Sequence, residues 1–349
     1  MAGEGKRKVP AMALCLLVIG GCGASQKSFH FQIKAPSIER IFVMTEKGKE
    51  KRIFIVDALK GCVLFRQRVP LKNPVIRYAS SEALLIAEIM STQARFWIFD
   101  VGSRKWKKVP SKYEPFLLLE SGKILALNSE AIRCEKNLVW LDSRTFREIR
   151  RLPLKGFRMR NVRRIFMDKK GNFWIWAIEQ NKAIDEIWLL EEQKIQKVLE
   201  RKECFINVKN RTLFISYPTN GTIEIFSING RLKWRGIVKV QNLFEEGDFF
   251  LLYPLSSVHI LCEAYLHCGD KWCQPFVRLL RLSFKTEKKY QEEHKWQGYI
   301  VEDVTNEGYF IMRRINEKGK REIFAGNLKN GALRKLFEIQ EDRITFSQK

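Results

Sequence analysis

The densest run of chemically capable side chains lies between residues 147 and 164. There Arg147, Arg150, Arg151, Lys155, Arg158, Arg160, Arg163 and Arg164 stand against a single acid, Glu148. Guanidinium forks match carboxylate and phosphate oxygens in a bidentate way, so the chemistry on offer is recognition of an anionic surface such as lipid headgroups or polysaccharide. The plainer reading is a solvated face on a chain that is basic throughout, with 63 Lys and Arg against 39 Asp and Glu and a formal charge of +24. Catalytic patterns are absent. The four histidines, His30, His259, His267 and His294, stand beside no nucleophile elbow, and G-x-S-x-G, H-E-x-x-H, P-loop and G-x-G-x-x-G patterns do not occur. No catalytic residue, metal or cofactor is therefore assigned. Ligands contributed singly by well-separated segments would escape such a search. Nucleic acid is not expected as a partner: the many aromatic residues alternate with aliphatic ones, as in core strands, and no RNP, KH or zinc-finger signature accompanies them.

The N-terminus reads as an export signal. Lys6-Arg7-Lys8 precedes an apolar run from Ala11 to Gly21, too short for a bilayer span, which needs about 20 residues. The run ends Val18-Ile19-Gly20-Gly21-Cys22, which resembles the lipobox of bacterial lipoproteins. That resemblance implies cleavage before Cys22, lipid on its thiol, and a protein held at a membrane on the periplasmic or cell-surface side. An ordinary secretory signal or an uncleaved anchor is the alternative. Loss of residues 1–21 removes three basic residues and one acidic residue and leaves +22, so the basicity belongs to the body of the protein. Residues 22–28 then form a lipidated cysteine and short tether, and residues 29–349 form the folded domain.

Eight cysteines are present, and three of them cluster as Cys262, Cys268 and Cys273. Their C-x5-C-x4-C spacing does not match the close pairs of structural zinc sites. In an exported chain a Cys268–Cys273 disulfide closing a Gly-Asp turn is expected, with Cys262 as a competing partner and free thiols as the alternative. Cys62, Cys134 and Cys204 flank strand-like runs and read as small core residues.

These residues need a scaffold, and the sequence describes one. An apolar pair followed by a polar turn-starter recurs as Ile55-Val56-Asp57, Ile98-Phe99-Asp100, Trp140-Leu141-Asp142, Leu189-Leu190-Glu191, Ile225-Phe226-Ser227, Arg281-Leu282-Ser283 and, most weakly, Ala325-Gly326-Asn327. The spacings are 43, 42, 49, 36, 56 and 44 residues, averaging 45. About one strand-pair upstream of several anchors lies a second hairpin, as in Phe116–Leu127, Phe166–Ile178, Phe205–Ile215, Leu243–Leu252 and Asp303–Met312. Two hairpins per 45 residues make four strands, the content of a propeller blade. The helix-tempting run Glu191–Lys202 falls where this array needs a turn and an outer strand.

Asp168-Lys-Lys-Gly-Asn-Phe-Trp174 resembles the D-x-x-G-N-[aromatic/Ile]-W pattern of sensor-type and NHL-like β-propellers. The fold expected is a single all-β propeller of about seven four-stranded blades, six or eight being the neighbouring counts. A pair of β-sandwiches or an open solenoid is the alternative, although no Pro/Gly/Ser-rich linker divides residues 30–345. Phe29–Ile33 is expected to close the ring by pairing with the last blade. Asp168 and Asp303 read as turn residues that accept local backbone hydrogen bonds. The functional expectation is an exported, lipid-anchored propeller that binds or assembles an envelope protein partner. A propeller hydrolase, lactonase or dehydrogenase with a channel-bound metal or cofactor is the alternative; carboxylates and Asn converging in the channel would favour it, and an apolar or Lys/Arg-lined channel would not.

Overall fold

A computed structural model describes residues 29–346 apart from 48, 91–93, 120–121, 129–136, 155–159, 169, 180–183, 192–193, 203, 210–211, 218–221, 240–248, 257, 266, 269–270, 273–274, 284–289, 306–307, 329–330 and 341–342. Signal, lipobox and tether lie outside the described residues, as do the turn of the Leu243–Leu252 segment, Cys134 and Cys273. Seven antiparallel sheets follow one another along the chain, at residues 29–68, 74–108, 113–153, 160–202, 205–239, 249–297 and 299–346. Within each blade the strands pair in sequence order, from a first strand at the central channel to an outermost one. The result is a seven-bladed β-propeller. Among the described residues no helix is long and apolar enough to cross a membrane.

The periodic anchors have a physical cause. All seven fall at or just after the end of the third strand of a blade. In blades one to three the polar member turns the chain: Asp57 Oδ1 accepts the N–H groups of Leu59 (3.1 Å) and Lys60 (3.0 Å). Asp100 does the same for Ser103 (2.7 Å), and Asp142 for Arg144 (3.0 Å) and Thr145 (2.7 Å). A carboxylate that mimics the missing backbone partner makes a tight turn affordable after a buried apolar pair. The weakest anchor is weak for a packing reason. A Cβ on Gly326 would lie 2.2 Å from the Phe310 ring, so the aromatic ring of the neighbouring strand fills the place of that side chain. In six of the seven blades the fourth strand carries a one-residue bulge against the third, which sharpens the twist that lets the sheets stack around an axis.

Each seam between blades is filled by its own apolar cluster. Phe42, Ile53, Leu84 and Phe99 join blades one and two, and Trp174, Ile187, Leu213 and Ile215 join blades four and five. The ring is closed by a seam of the same kind: Val43, Val56, Ile311, Ile323 and Phe337 pack blade seven on blade one.

That closure differs from the expected one. Residues 29–33 do not pair with the last blade; Phe29–Ser37 is the inner strand of blade one, in register with Arg40–Lys47 (Ile33↔Val43). Arg40–Lys47, Glu50–Asp57 and Cys62–Arg68 complete that blade, while Tyr299–Gln340 supplies four strands to blade seven, so no vacancy remains to be filled by an exchanged strand. Instead Arg343–Phe346 adds a fifth strand outside blade seven, with Phe346 packed on Phe337 and facing Gly61 of blade one. A second expectation is displaced. Of the hairpin expected at Leu243–Leu252, the described part belongs to Phe249–Pro254, the inner strand of blade six, which turns back through Leu255 and Ser256 into His259–Tyr265. Of the run Glu191–Lys202, Glu191 ends the third strand of blade four and Lys194–Lys202 is its outer strand.

Candidate functional site

The Asp168 motif turns out to be a staple between blades. Gly171 occupies the left-handed region (φ 83), which closes the turn and which a side chain would strain. Asp168 Oδ1 accepts the N–H groups of Lys170 (2.9 Å) and Asn172 (3.1 Å). Its Oδ2 accepts from the Trp174 indole (3.0 Å), from Asn172 Nδ2 (3.3 Å) and from the N–H of Gly230 in blade five (3.2 Å). Burial alone would raise this carboxyl's pKa; the indole and amide donors outweigh it and hold the pKa below the ordinary value. The residue is thus a turn-former, as its sequence suggested, and also a link to the next blade.

Asp303 is different. The turn-former of blade seven is Thr305, whose backbone and hydroxyl close the turn onto Gly308 and Tyr309. Asp303 sits two residues earlier on the inner strand Tyr299–Val304. Besides the N–H of Val304 (2.9 Å), it accepts the N–H of Ala35 in blade one (2.8 Å), with Lys34 Nζ at 3.7 Å. This is one case of a wider arrangement. The inner strand of every blade has an edge with no further strand beside it, and its amides and carbonyls need partners. Gln32 of blade one receives the N–H of Ile76 and donates to the carbonyl of Pro74 in blade two, both at 2.9 Å. Asn207 of blade five donates to Leu252 O in blade six (3.1 Å). Glu263 of blade six, fully buried, accepts the N–H of Val301 in blade seven (3.0 Å) and the Tyr265 hydroxyl. Burial raises the Glu263 pKa against those donors. A side chain from one blade thus completes the edge of the next at four seams.

The basic run is divided by the fold. Arg147 precedes, and Arg150 and Arg151 occupy, the outermost strand of blade three, Glu148–Pro153. Arg150 lies over the Trp140 ring (5.3 Å), and Arg151 forks onto Glu148, which also accepts the Tyr113 hydroxyl (2.8 Å). Lys155 and Arg158 lie outside the described residues, as does the side chain of Arg160. Arg163 and Arg164 belong to the inner strand of blade four, Arg160–Met167. Outer and inner edges of a blade are three strand spacings apart, about 14 Å. The eight residues therefore do not share one patch. The basic excess has another focus: the seven fourth strands hold seventeen Lys and Arg against five Asp and Glu. Such charges on the outer edges discourage edge-to-edge pairing with other chains.

Arg164 is the member that reaches a singular place. Its guanidinium donates to Asn207 of blade five (3.4 Å) and lies within electrostatic reach of Asp303 in blade seven and of the Tyr78 phenol in blade two. A side chain on the inner strand of blade four that senses groups on blades two, five and seven projects into the central channel. Arg164 is open to solvent along the channel while the walls crowd it. That crowding holds its pKa below an ordinary guanidinium, with Asp303 and Tyr78 pulling the other way. The channel level so defined carries Lys34, Tyr78, Arg164, Asn207 and Asp303, mixed in charge rather than purely acidic or purely basic. Single-sequence reading could not group them, since they come from five different blades.

The cysteines are partly placed. His267–Cys268 and Lys271–Trp272 form a two-stranded ribbon inserted between the second and third strands of blade six. Its thiols lie outside the described side chains, so the Cys268–Cys273 pair is left open. Cys262 is a free, fully buried thiol in the seam between blades five and six, which removes it as a competitor. Cys62 and Cys204 are also free. Burial, with Asp185 3.8 Å away, pushes the Cys204 thiol up to about 12, leaving it unreactive near neutrality. Among the described residues no three His, Cys, Asp or Glu converge as a metal set.

No protein-family model matches the chain, and no curated protein matches it. Three similar solved structures, each distant in sequence, show the likeness. The propeller domain of the trilobed protease from Pyrococcus furiosus, described as having an open velcro topology, is 12% identical with a TM-score of 0.56, over 90% of this chain and 99% of that one. Pyrococcus horikoshii acylaminoacyl peptidase is 11% identical with a TM-score of 0.56, over 90% of this chain and 53% of that one. The chain thus spans about half the length of that peptidase. A candidate 6-phosphogluconolactonase from Bacteroides fragilis is 13% identical with a TM-score of 0.50, over 90% and 95%. At these identities the likeness is one of fold alone.

Proposed function

We propose that this protein is an exported, lipid-anchored propeller that binds or assembles an envelope partner. The observation that carries this reading is the use made of the inner-strand polar groups. Gln32, Asn207 and Asp303, the inner-strand polar residues best able to act on a channel substrate, are engaged in holding the next blade, as is the buried Glu263 of the second strand of blade six. The exposed cations of the fourth strands lie on the rim, where a partner or an anionic membrane would meet them. Cys22 precedes the first strand by seven residues, a reach of at most roughly 25 Å. Phe29 enters at the face that carries the crossovers between blades, so the anchor would turn that face toward the membrane and leave the Asp168-type turns outward.

Crosslinked affinity purification of the native protein from its own membranes tests the reading: one stoichiometric envelope partner supports it, and none overturns it. Cys22→Ala should release the protein from membranes and lower its mass by the lipid. Unchanged fractionation and mass would remove the anchor from the account. A channel enzyme is the second reading, favoured by the convergence of Asp303, Asn207, Tyr78 and Arg164 from four blades and by the likeness to a lactonase-type propeller. Metal analysis of the purified protein, followed by lactone and ester turnover, separates it from the first.

A further inference from the structure

Arg164 offers five N–H donors and, among the described residues, makes a single hydrogen bond, the long one to Asn207. No described carboxylate stands within ion-pair distance of it. Asp303, the nearest acid to act on it, is already held by Ala35 N–H, Val304 N–H and Lys34. The local balance is two cations, Lys34 and Arg164, to one carboxylate. Across Asn207 from this fork lies a cavity of about 200 Å³ between blades five and six, whose apolar wall of Phe205, Phe214 and Leu252 is interrupted by Asn207, Ser216 and Tyr253; Arg164 itself is not among the lining residues. Asn207 belongs to both places. Its Oδ1 accepts from the Val208 N–H (2.9 Å) and from Arg164 (3.4 Å), while its Nδ2 donates to Leu252 O, so the amide stands between the guanidinium and the mostly apolar hollow.

We propose that this cavity and Arg164 together form a binding site for a small carboxylate with an apolar body. The planar fork takes the two carboxylate oxygens, and the hollow takes a ring or branched chain. An apolar cavity of about 150 Å³ accommodates benzene, so this one accommodates a body of roughly six to eight carbon atoms. The mostly apolar lining disfavours strongly hydrated anions: inorganic phosphate meets the fork but leaves the apolar wall wet. This site is independent of the partner-binding reading.

Phenylacetate is a suitable probe, with phenylacetamide as its neutral counterpart and inorganic phosphate as the hydrated anion. Calorimetric titration of the full-length protein should show saturable binding of phenylacetate, with the amide and phosphate at least tenfold weaker. Arg164→Gln should weaken phenylacetate by about ten- to a hundredfold, the range for charge-assisted hydrogen bonds, while Arg150→Gln on the outer strand leaves it unchanged. The proposal is overturned if the wild-type protein binds no phenylacetate, binds acid and amide alike, binds phosphate as tightly as the acid, or loses nothing on Arg164→Gln. The wild-type comparison of acid with amide stands even if a variant fails to fold.

Discussion

The seam between blades four and five and the seam between blades seven and one do the same task from opposite positions in the chain. At the first, two residues of backbone connect Lys202 to Phe205. At the second the partners are the two ends of the fold, with Ala35 and Asp303 separated by 268 residues. Yet each seam has a full apolar cluster and a carboxylate that accepts a backbone N–H from the neighbouring blade, Asp168 from Gly230 and Asp303 from Ala35. A propeller of this kind does not need a shared strand to close. It needs the last seam to be packed like the others.

The largest test of that equivalence is Phe337→Ala, compared with Phe214→Ala in the seam between blades five and six. Both rings are almost fully buried, and each truncation should cost about 3–5 kcal/mol in urea unfolding. If ring closure depended on a hidden covalent or strand link, Phe337→Ala would cost much less. Next come the carboxylate links. Asp168→Ala strands two turn amides, an indole and the Gly230 N–H, and should cost about 3 kcal/mol; Asp303→Ala, with fewer donors, about 1–2 kcal/mol. The reverse order would show that the terminal seam is the more strained.

A pH titration sharpens the contrast within blades six and seven. Glu322 is held near 2, because Lys335, Arg314 and Asn316 outweigh the effect of burial. Its folded pKa lies below the ordinary glutamate value of 4.5, so its contribution is present above 4.5 and is lost as pH falls toward 2. Glu263 runs the other way. Its raised pKa means that its contribution is present below the ordinary value and is lost as pH rises through the folded one. Glu322→Gln should flatten the acid limb of a stability–pH curve, and Glu263→Gln the opposite limb. An unchanged curve in either variant would remove that group from the account. The smallest effect is expected at the rim: reversing Arg150 to Glu should shift stability by no more than about 0.5 kcal/mol, and vesicle binding, if the outer edge carries it, should respond to Arg150 and not to a reversal of Arg163 on the inner strand of blade four.

Much of this fold was legible in the sequence. Asp57, Asp100 and Asp142 recur because each caps the same turn in consecutive blades, and local hydrogen bonding leaves a local signal. The membership of Phe29–Ser37 was not legible, since it depends on how many strands blade one already contains. Asp303 was misplaced by two residues because an Asp before a Gly turn resembles Asp168, while Thr305 performs that function with a less conspicuous side chain. The channel group was invisible for a different reason. Arg164, Asn207 and Asp303 meet only through the rotation of successive blades about the axis, which no spacing along one chain records.

Among the described residues no strand is exchanged between blades, and this bears on how the protein is made. In a propeller whose first strand completes the last blade, one sheet must wait for both termini. Here every sheet is contiguous, so each can form and pack on its predecessor as the chain emerges, with mostly short-range pairings. Only one event is deferred until the last blade is present. When Tyr299–Phe346 arrives, Asp303 finds Ala35, Phe337 meets the waiting face of blade one, and a growing stack becomes a ring.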